Sequence, residues 1–248
     1  MTYSSAIFES GQTDLAAGQT AKINRIVDRL APGEQLLEVG CGWGSFAEAA
    51  AENGRSVTGL TLSPSQKGYA DARLDGRADI QLKDYRNVGG TFDNIVSIEM
   101  IEAVGERYWP NYFRMLKDRL SEEGRIWIQA ITVPDSYFAL YRRGSDFIRQ
   151  HTFPGGMLLS EEQIRIQAEK AGLFVRESFA FGDSYAETLR IWQDRLDEQA
   201  DRIRALGYGE EFLRSWRFYL GVCAASFRTG QTNVVQVGLN HAGQSSPA

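Results

Sequence analysis

Residues Leu36 to Gly54, LLEVGCGWGSFAEAAAENG, limit what this chain can fold into more than any other stretch. An apolar run ends at the acid Glu38, glycines follow at alternate positions (Gly40, Gly42 and Gly44), and an Ala-rich helical segment comes next. Strand, glycine turn and helix in that order form the ligand-binding corner of a doubly wound α/β sheet. Glycine suits the turn because it tolerates unusual backbone angles and lets a ligand approach bare backbone.

The spacing chooses the ligand. Dinucleotide binders follow G-x-G-x-x-G and carry an acid at the end of the second strand for the ribose. Here the loop reads G-C-G-W-G, and SVTGLTL ends in Thr61, Leu62 and Ser63 with no acid there. Both departures weigh against NAD and towards S-adenosylmethionine, which has no pyrophosphate to cradle.

Other classes are narrowed by composition. The 248 residues are enough for one large α/β domain, and a net charge of -5 argues against nucleic acid, which demands a basic footprint. Cys41, Cys223 and the two histidines lack metal-ligand spacing, so no metal is expected. Cys41 reads as a small turn filler rather than a nucleophile. No signal peptide or long apolar run is present, so a cytoplasmic setting is expected.

Along the chain, an amphipathic helix is expected over 12–30, then strand 35–39, helix 45–53, strand 56–62, helix 64–74, strands 78–83 and 92–98, helix 107–120 and strand 125–132. Short continuous apolar strands fit a parallel sheet buried on both faces. The aromatic and basic stretch from Val133 has no clear period. Ser160 and Gly172 read as the cap and stop of a helix over 160–171, followed by strand 174–181, helical segments 184–206 and 210–228, and strand 232–239. The expectation is a single domain over 1–248 with cap insertions at about 133–160 and 184–229, and a polar tail, GQSSPA.

LLEVGCGWGSFAEAA, VTGLTLSPSQ, FDNIVSIEMIEAVG, HTFPGG and FYLGVCAASFRTG together resemble the cyclopropane-fatty-acyl-phospholipid synthase and mycolic acid methyltransferase family. The resemblance runs from Tyr3 to the last strand. It implies an α/β fold: a seven-stranded, mostly parallel class I methyltransferase (Rossmann-like) sheet under a helical cap. It also implies S-adenosylmethionine-dependent transfer of a methyl or methylene group to the cis double bond of an unsaturated acyl chain.

By position, the resemblance puts Tyr3 and Ser4 on the methionine end of the cofactor, lined by Gly40, Gly42 and Gly44. Thr61, Leu62 and Gln66 would meet the ribose, and Tyr85 the adenine. Members of the family use a bound bicarbonate, held at a Glu, a Tyr, a His, a Cys and an Ile position. Here those are Glu102, Tyr219, Gln129, Ser5 and Ile131, so the chain departs at His and Cys. Gln129 can donate to an anion but cannot relay a proton. Glu99, three residues before Glu102, either orients it or is solvated.

An alkene has no proton for a base to remove beforehand, so methyl transfer calls for a dry, aligned pocket and leaves a cation that aromatic faces can stabilise. Candidates are Tyr137, Phe138, Tyr141, Phe147, Phe153, Trp192 and Phe218, any of which can equally be core. Arg142, Arg143 and Arg149 could meet a lipid phosphate or form a solvated surface. Peripheral contact with the inner face of the membrane and a homodimer are left open. Two other readings stand beside this one: a small-molecule N- or C-methyltransferase, as in plant alkaloid N-methyltransferases, and a non-catalytic S-adenosylmethionine-binding protein.

Overall fold

A computed structural model describes residues 1–9 and 11–242 of the chain. Seven strands form one sheet: β1 (Gln35–Val39), β2 (Ser56–Thr61), β3 (Ala78–Leu82), β4 (Phe92–Ile98), β5 (Leu120–Thr132), β6 (Leu173–Ala180) and β7 (Asn233–His241). Their order is β3-β2-β1-β4-β5-β7-β6. The first five are mutually parallel, and β7 runs antiparallel between β5 and β6. The sheet is therefore mostly parallel, as expected, with its one reversed strand supplied last.

Strand β1 shows why its run is continuously apolar. Leu36 faces one layer, packed with Ile23 and Ile26 of α1 (Leu15–Val27), Phe46 and Ala50 of α2 (Ser45–Glu52) and Leu74 of α3 (Pro64–Leu74). Leu37 and Val39 face the other, with Trp109, Tyr112, Phe113 and Leu116 of α4 (Trp109–Arg119) and, later in the chain, Ile164 and Ala168 of α6 (Glu161–Ala171). Alternate side chains of a strand point to opposite faces, so a strand covered on both must be apolar at every position. The caps read in the sequence are present: Ser160 accepts from Gln163 N, and Gly172 ends α6 at φ 86°.

The stretch after Val133, where no period was legible, holds a short helix α5 (Asp135–Arg143) and a wide helical turn at Ile148–Thr152. The cap beyond β6 consists of α7 (Gly182–Glu198), α8 (Ala200–Ala205) and α9 (Glu210–Arg228). Leu189 and Tyr185 of α7 pack with Leu220 and Phe227 of α9 and against Ile131 at the carboxyl end of β5. Strand β5 begins five residues earlier than expected, because the polar Ser121–Gly124 stretch stays extended beside β4, where Leu120 is in register with Phe92. The polar tail 243–248 lies outside the described residues.

Asn94 in β4 is fully buried, its Oδ1 accepting from Ala31 N at 2.7 Å and its Nδ2 donating to Ala31 O at 3.0 Å. Asn94→Ala strands both backbone groups away from water and is expected to cost about 2–3 kcal/mol. Urea unfolding measures this; a midpoint equal to the wild type would contradict it.

Candidate functional site

The loop after β1 is anchored by Gly40 N and Cys41 N, which both donate to Leu60 O at the end of β2 (3.1 and 2.9 Å). Gly40, Gly42 and Gly44 have φ of 84°, 52° and 81°, a region that side chains disfavour. A Cβ on Gly40 would lie 2.8 Å from Met100 Cγ, and one on Gly44 3.2 Å from Ala70 Cβ. At Gly42 it would meet only the Tyr3 ring, at 3.6 Å. Gly42 is thus the glycine whose backbone is bare towards the cavity, which Tyr3, Ser4, Glu38, Gly40, Lys22 and Glu99 also line.

Beside this cradle, Thr61 Oγ1 donates to Gln66 Oε1 at 2.7 Å, and Gln66 Nε2 donates to the Tyr3 hydroxyl at 3.4 Å. Leu62 is 71% exposed at the end of β2. Tyr85 follows β3 in a single turn capped by Asp84 and lies edge-on to Tyr112, ring centroids 5.6 Å apart. Three strand ends therefore converge outside the sheet where its order reverses between β1 and β4, the place open α/β sheets bind ligands.

Two charged groups under the cradle were absent from the sequence-derived set. Glu38 is buried at the end of β1 with Oε2 unpartnered, and burial drives its carboxyl well above the usual range, against the pull of Lys22. Lys22 is fully buried; burial lowers its ammonium to about 8, with Glu99 and Glu38 opposing. Its Nζ donates to Ser4 Oγ at 2.7 Å. One signal for Lys22 was available: seven residues after Leu15, it falls on the buried stripe of α1.

Glu99 is the hub. Its Oε1 accepts from Ser5 N at 2.9 Å and from Gln129 Nε2 at 2.8 Å, and its Oε2 accepts from the Tyr185 hydroxyl at 2.7 Å. Of the two alternatives for Glu99, the solvated one is excluded. Gln129 is itself fixed by Gln236 Nε2, 3.0 Å from its Oε1. The Ser5 hydroxyl turns away to Ala6 O. Burial raises the Glu99 carboxyl, while Tyr185, Ser5, Lys22 and Gln129 pull it back.

Glu102 sits one short turn further on. Its Oε1 accepts from Ile131 N at 2.6 Å, while Oε2 is buried without a partner. Burial first, then the charge of Glu99, pushes its carboxyl up to about 8. Two adjoining carboxyls in a dry place do not both ionise. Glu99, with three donors, is the better placed of the two to carry the charge, and Glu102 to hold the proton.

The cap closes over this pair with aromatics. Tyr219 meets Cys223, Phe153 at 5.7 Å and Trp216 at 5.5 Å, and burial first, then Cys223 and the charge of Glu99, hold its phenol far above the usual range. Trp192 is edge-on to Tyr185 at 6.3 Å. Phe138 instead packs on Trp109 in the core. Of the three arginines, Arg142 pairs with Glu106, Arg149 pairs with Asp146 and lies over the Tyr141 ring, and Arg143 is exposed. Cys41 is buried and its thiol is held far above its ordinary range, first by burial and then by Glu38, so it is no nucleophile.

Among the described residues no helix is long and apolar enough to cross a membrane, and no group of three His, Cys, Asp or Glu could hold a metal ion. The chain is 39% identical to the tuberculostearic acid methyltransferase UfaA1 of Mycobacterium tuberculosis, over 95% of this chain and 59% of that protein. It is 34% identical to the cyclopropane-fatty-acyl-phospholipid synthase of Escherichia coli, over 96% and 61%. It thus spans about three fifths of the length of these curated relatives. Its fold overlays the cyclopropane synthase MmaA2 of M. tuberculosis with a TM-score of 0.87 at 28% identity, covering 96% of this chain and 89% of the other. The cyclopropane synthase CmaA1 solved with SAH and CTAB overlays with the same score at 30% identity, covering 96% of this chain and 89% of the other. The family model for mycolic acid cyclopropane synthetase matches residues 1–237, from the Tyr3 segment through the sheet to β7, and the chain belongs to that family.

Proposed function

We propose that this chain transfers a methyl or methylene group from S-adenosylmethionine to the cis double bond of an unsaturated acyl lipid. The observation that carries the reading is the junction of the Gly42 cradle with the Glu99–Glu102 pair beneath an aromatic cap. Bound there, S-adenosylmethionine supplies an electrophilic methyl.

The residues suit that occupant. The bare backbone at Gly42, between Gly40 and Gly44, would hold the methionine end, in a cavity that Tyr3, Ser4 and Glu38 also line and where Glu38 Oε2 is unpartnered. Thr61 and Gln66, whose amide both donates and accepts, would hold the ribose hydroxyls, and Leu62 and Tyr85 would serve the sugar and the adenine. Negative charge on the carboxyl pair would stabilise a cation forming in the chamber, and the rings of Trp192, Phe153 and Tyr219 around it would add to that stabilisation. Exposed Leu140, Phe153 and Phe218 on the cap side give an acyl chain at a membrane surface an apolar approach.

Incubation with methyl-labelled S-adenosylmethionine and vesicles of monounsaturated phospholipid tests the proposal. The expected product is an acyl chain heavier by one CH2, with upfield ring protons for a cyclopropane or surviving alkene protons for a methyl branch. No label in lipid, with label in an amine instead, would sink it.

A further inference from the structure

The two positions at which the chain departs from the family's anion-binding pattern, Ser5 and Gln129, donate to one and the same oxygen, Glu99 Oε1. A third donor of that pattern, Ile131 N, is held by Glu102 Oε1. Apart from Tyr219 and the protonated Glu102 itself, the donors the pattern offers to a bicarbonate, at Ser5, Gln129 and Ile131, are each engaged by a carboxyl of this chain. At those three positions an incoming anion would face the lone pairs of Glu99 and Glu102 in place of donors. The residues do not fit a bound bicarbonate.

Glu99 is also held in an unusual backbone state. Its φ is 48°, uncommon for a residue with a side chain, and its N–H is fixed to Gln129 O at 2.8 Å. Strain of this kind persists where the surroundings over-determine it, and it concentrates at sites of function. Here it aims a carboxylate with three donors into the cavity shared with Tyr3, Ser4 and Gly40.

We propose that Glu99 is the chain's own base, standing where the family pattern puts an external anion and taking the proton released after methyl transfer. This rests on the acyl-methylation reading above. Once the new carbon–carbon bond has formed, a C–H bond of the cationic chain breaks. Its electron pair closes the ring or makes the new double bond, and the proton passes to the Glu99 carboxylate, which becomes a carboxylic acid until it exchanges with water. The groups facing Glu99 are Lys22 and Glu38 across the cavity, Glu102 beside it, and Tyr185 and Tyr219 from the cap. A carboxyl lifted by burial towards neutrality, yet kept ionised by its donors, suits proton acceptance.

The test uses the full chain as wild type, Glu99→Gln and Glu99→Ala. Carbon-13 NMR of labelled bicarbonate is expected to show no broadening with the wild type and broadening with Glu99→Ala, whose donors are freed; broadening by the wild type overturns the proposal. In carbon-dioxide-free buffer the wild type is expected to turn over unchanged. Glu99→Gln is expected to lose about 10²–10³-fold in kcat while its affinity for S-adenosylhomocysteine, which lacks the sulfonium charge, is kept. A wild type that needs added bicarbonate, or a Glu99→Gln variant with full kcat, overturns the assignment. A wild type that methylates no lipid overturns the acyl reading alone, and the bicarbonate resonance still decides whether Glu99 fills the anion's place.

Discussion

Glu102→Gln is expected to match the wild type in stability near pH 5 and to exceed it near pH 8. In the folded chain the Glu102 carboxyl is raised to about 8 by burial and by Glu99, from an ordinary 4.5. A raised carboxyl contributes stability that is fully present below the unfolded value and is lost as pH rises through the folded one. The unfolded chain gives up its proton at 4.5 while the folded chain must hold it, so folding is disfavoured progressively across the window. At about 1.4 kcal/mol per unit the loss is about 3 kcal/mol between pH 5 and 8. Glutamine keeps the shape of the protonated acid and has nothing to titrate. Glu38 and Glu99 are displaced in the same direction and remain in the variant, so its stability still declines with pH, less steeply. Lys22 acts oppositely, since its lowered value restores stability above about 8. Urea unfolding of both proteins at several pH values measures the difference, and parallel curves would show that Glu102 is not held protonated.

Gly42→Val is expected to cost about 100-fold or more in S-adenosylmethionine affinity, about 2.7 kcal/mol. The three loop glycines differ in what a side chain would meet. At Gly44 it would press on Ala70 of α3, so Gly44→Ala is a stability lesion; at Gly42 it would project into the cradle beside Tyr3. A β-branched residue at a φ of 52° adds backbone strain to the occlusion. Calorimetric titration of the folded variant with S-adenosylmethionine reads the loss. An affinity within the error of the wild type would remove the methionine end from this loop.

Local chemistry explains what was legible before any coordinates. The glycine corner, the Ser160 cap and the Gly172 stop are each decided by neighbours in sequence, and each lies where the sequence put it. The parallel strands were readable because burial on both faces leaves a continuous apolar run. Helix α5 was not, since its inner face is marked only by the half-buried Phe138 and Tyr141, and aromatics continue beyond it at Phe147 and Phe153 without a period. The candidate site divides in the same way. Ser5, Gln129, Ile131 and Glu102 could be marked one by one. Their distribution over two carboxyls could not, because Ser5 reaches Glu99 across 94 residues and Tyr185 reaches it across 86. Such convergence is a product of tertiary packing, which no local period records.

The late insertion of β7 bears on how the molecule is made. Strand β6 is never a neighbour of β5; the gap between them is filled only by residues 233–241, after the whole helical cap has emerged. Until then both strands present open edges, a state prone to mispairing and to capture by chaperones. Gln236 arrives with β7 and immobilises Gln129, which in turn holds Glu99. A nascent chain stalled before residue 233 would therefore lack the strand that fixes Gln129, leaving the Glu99–Glu102 pair without one of its supports.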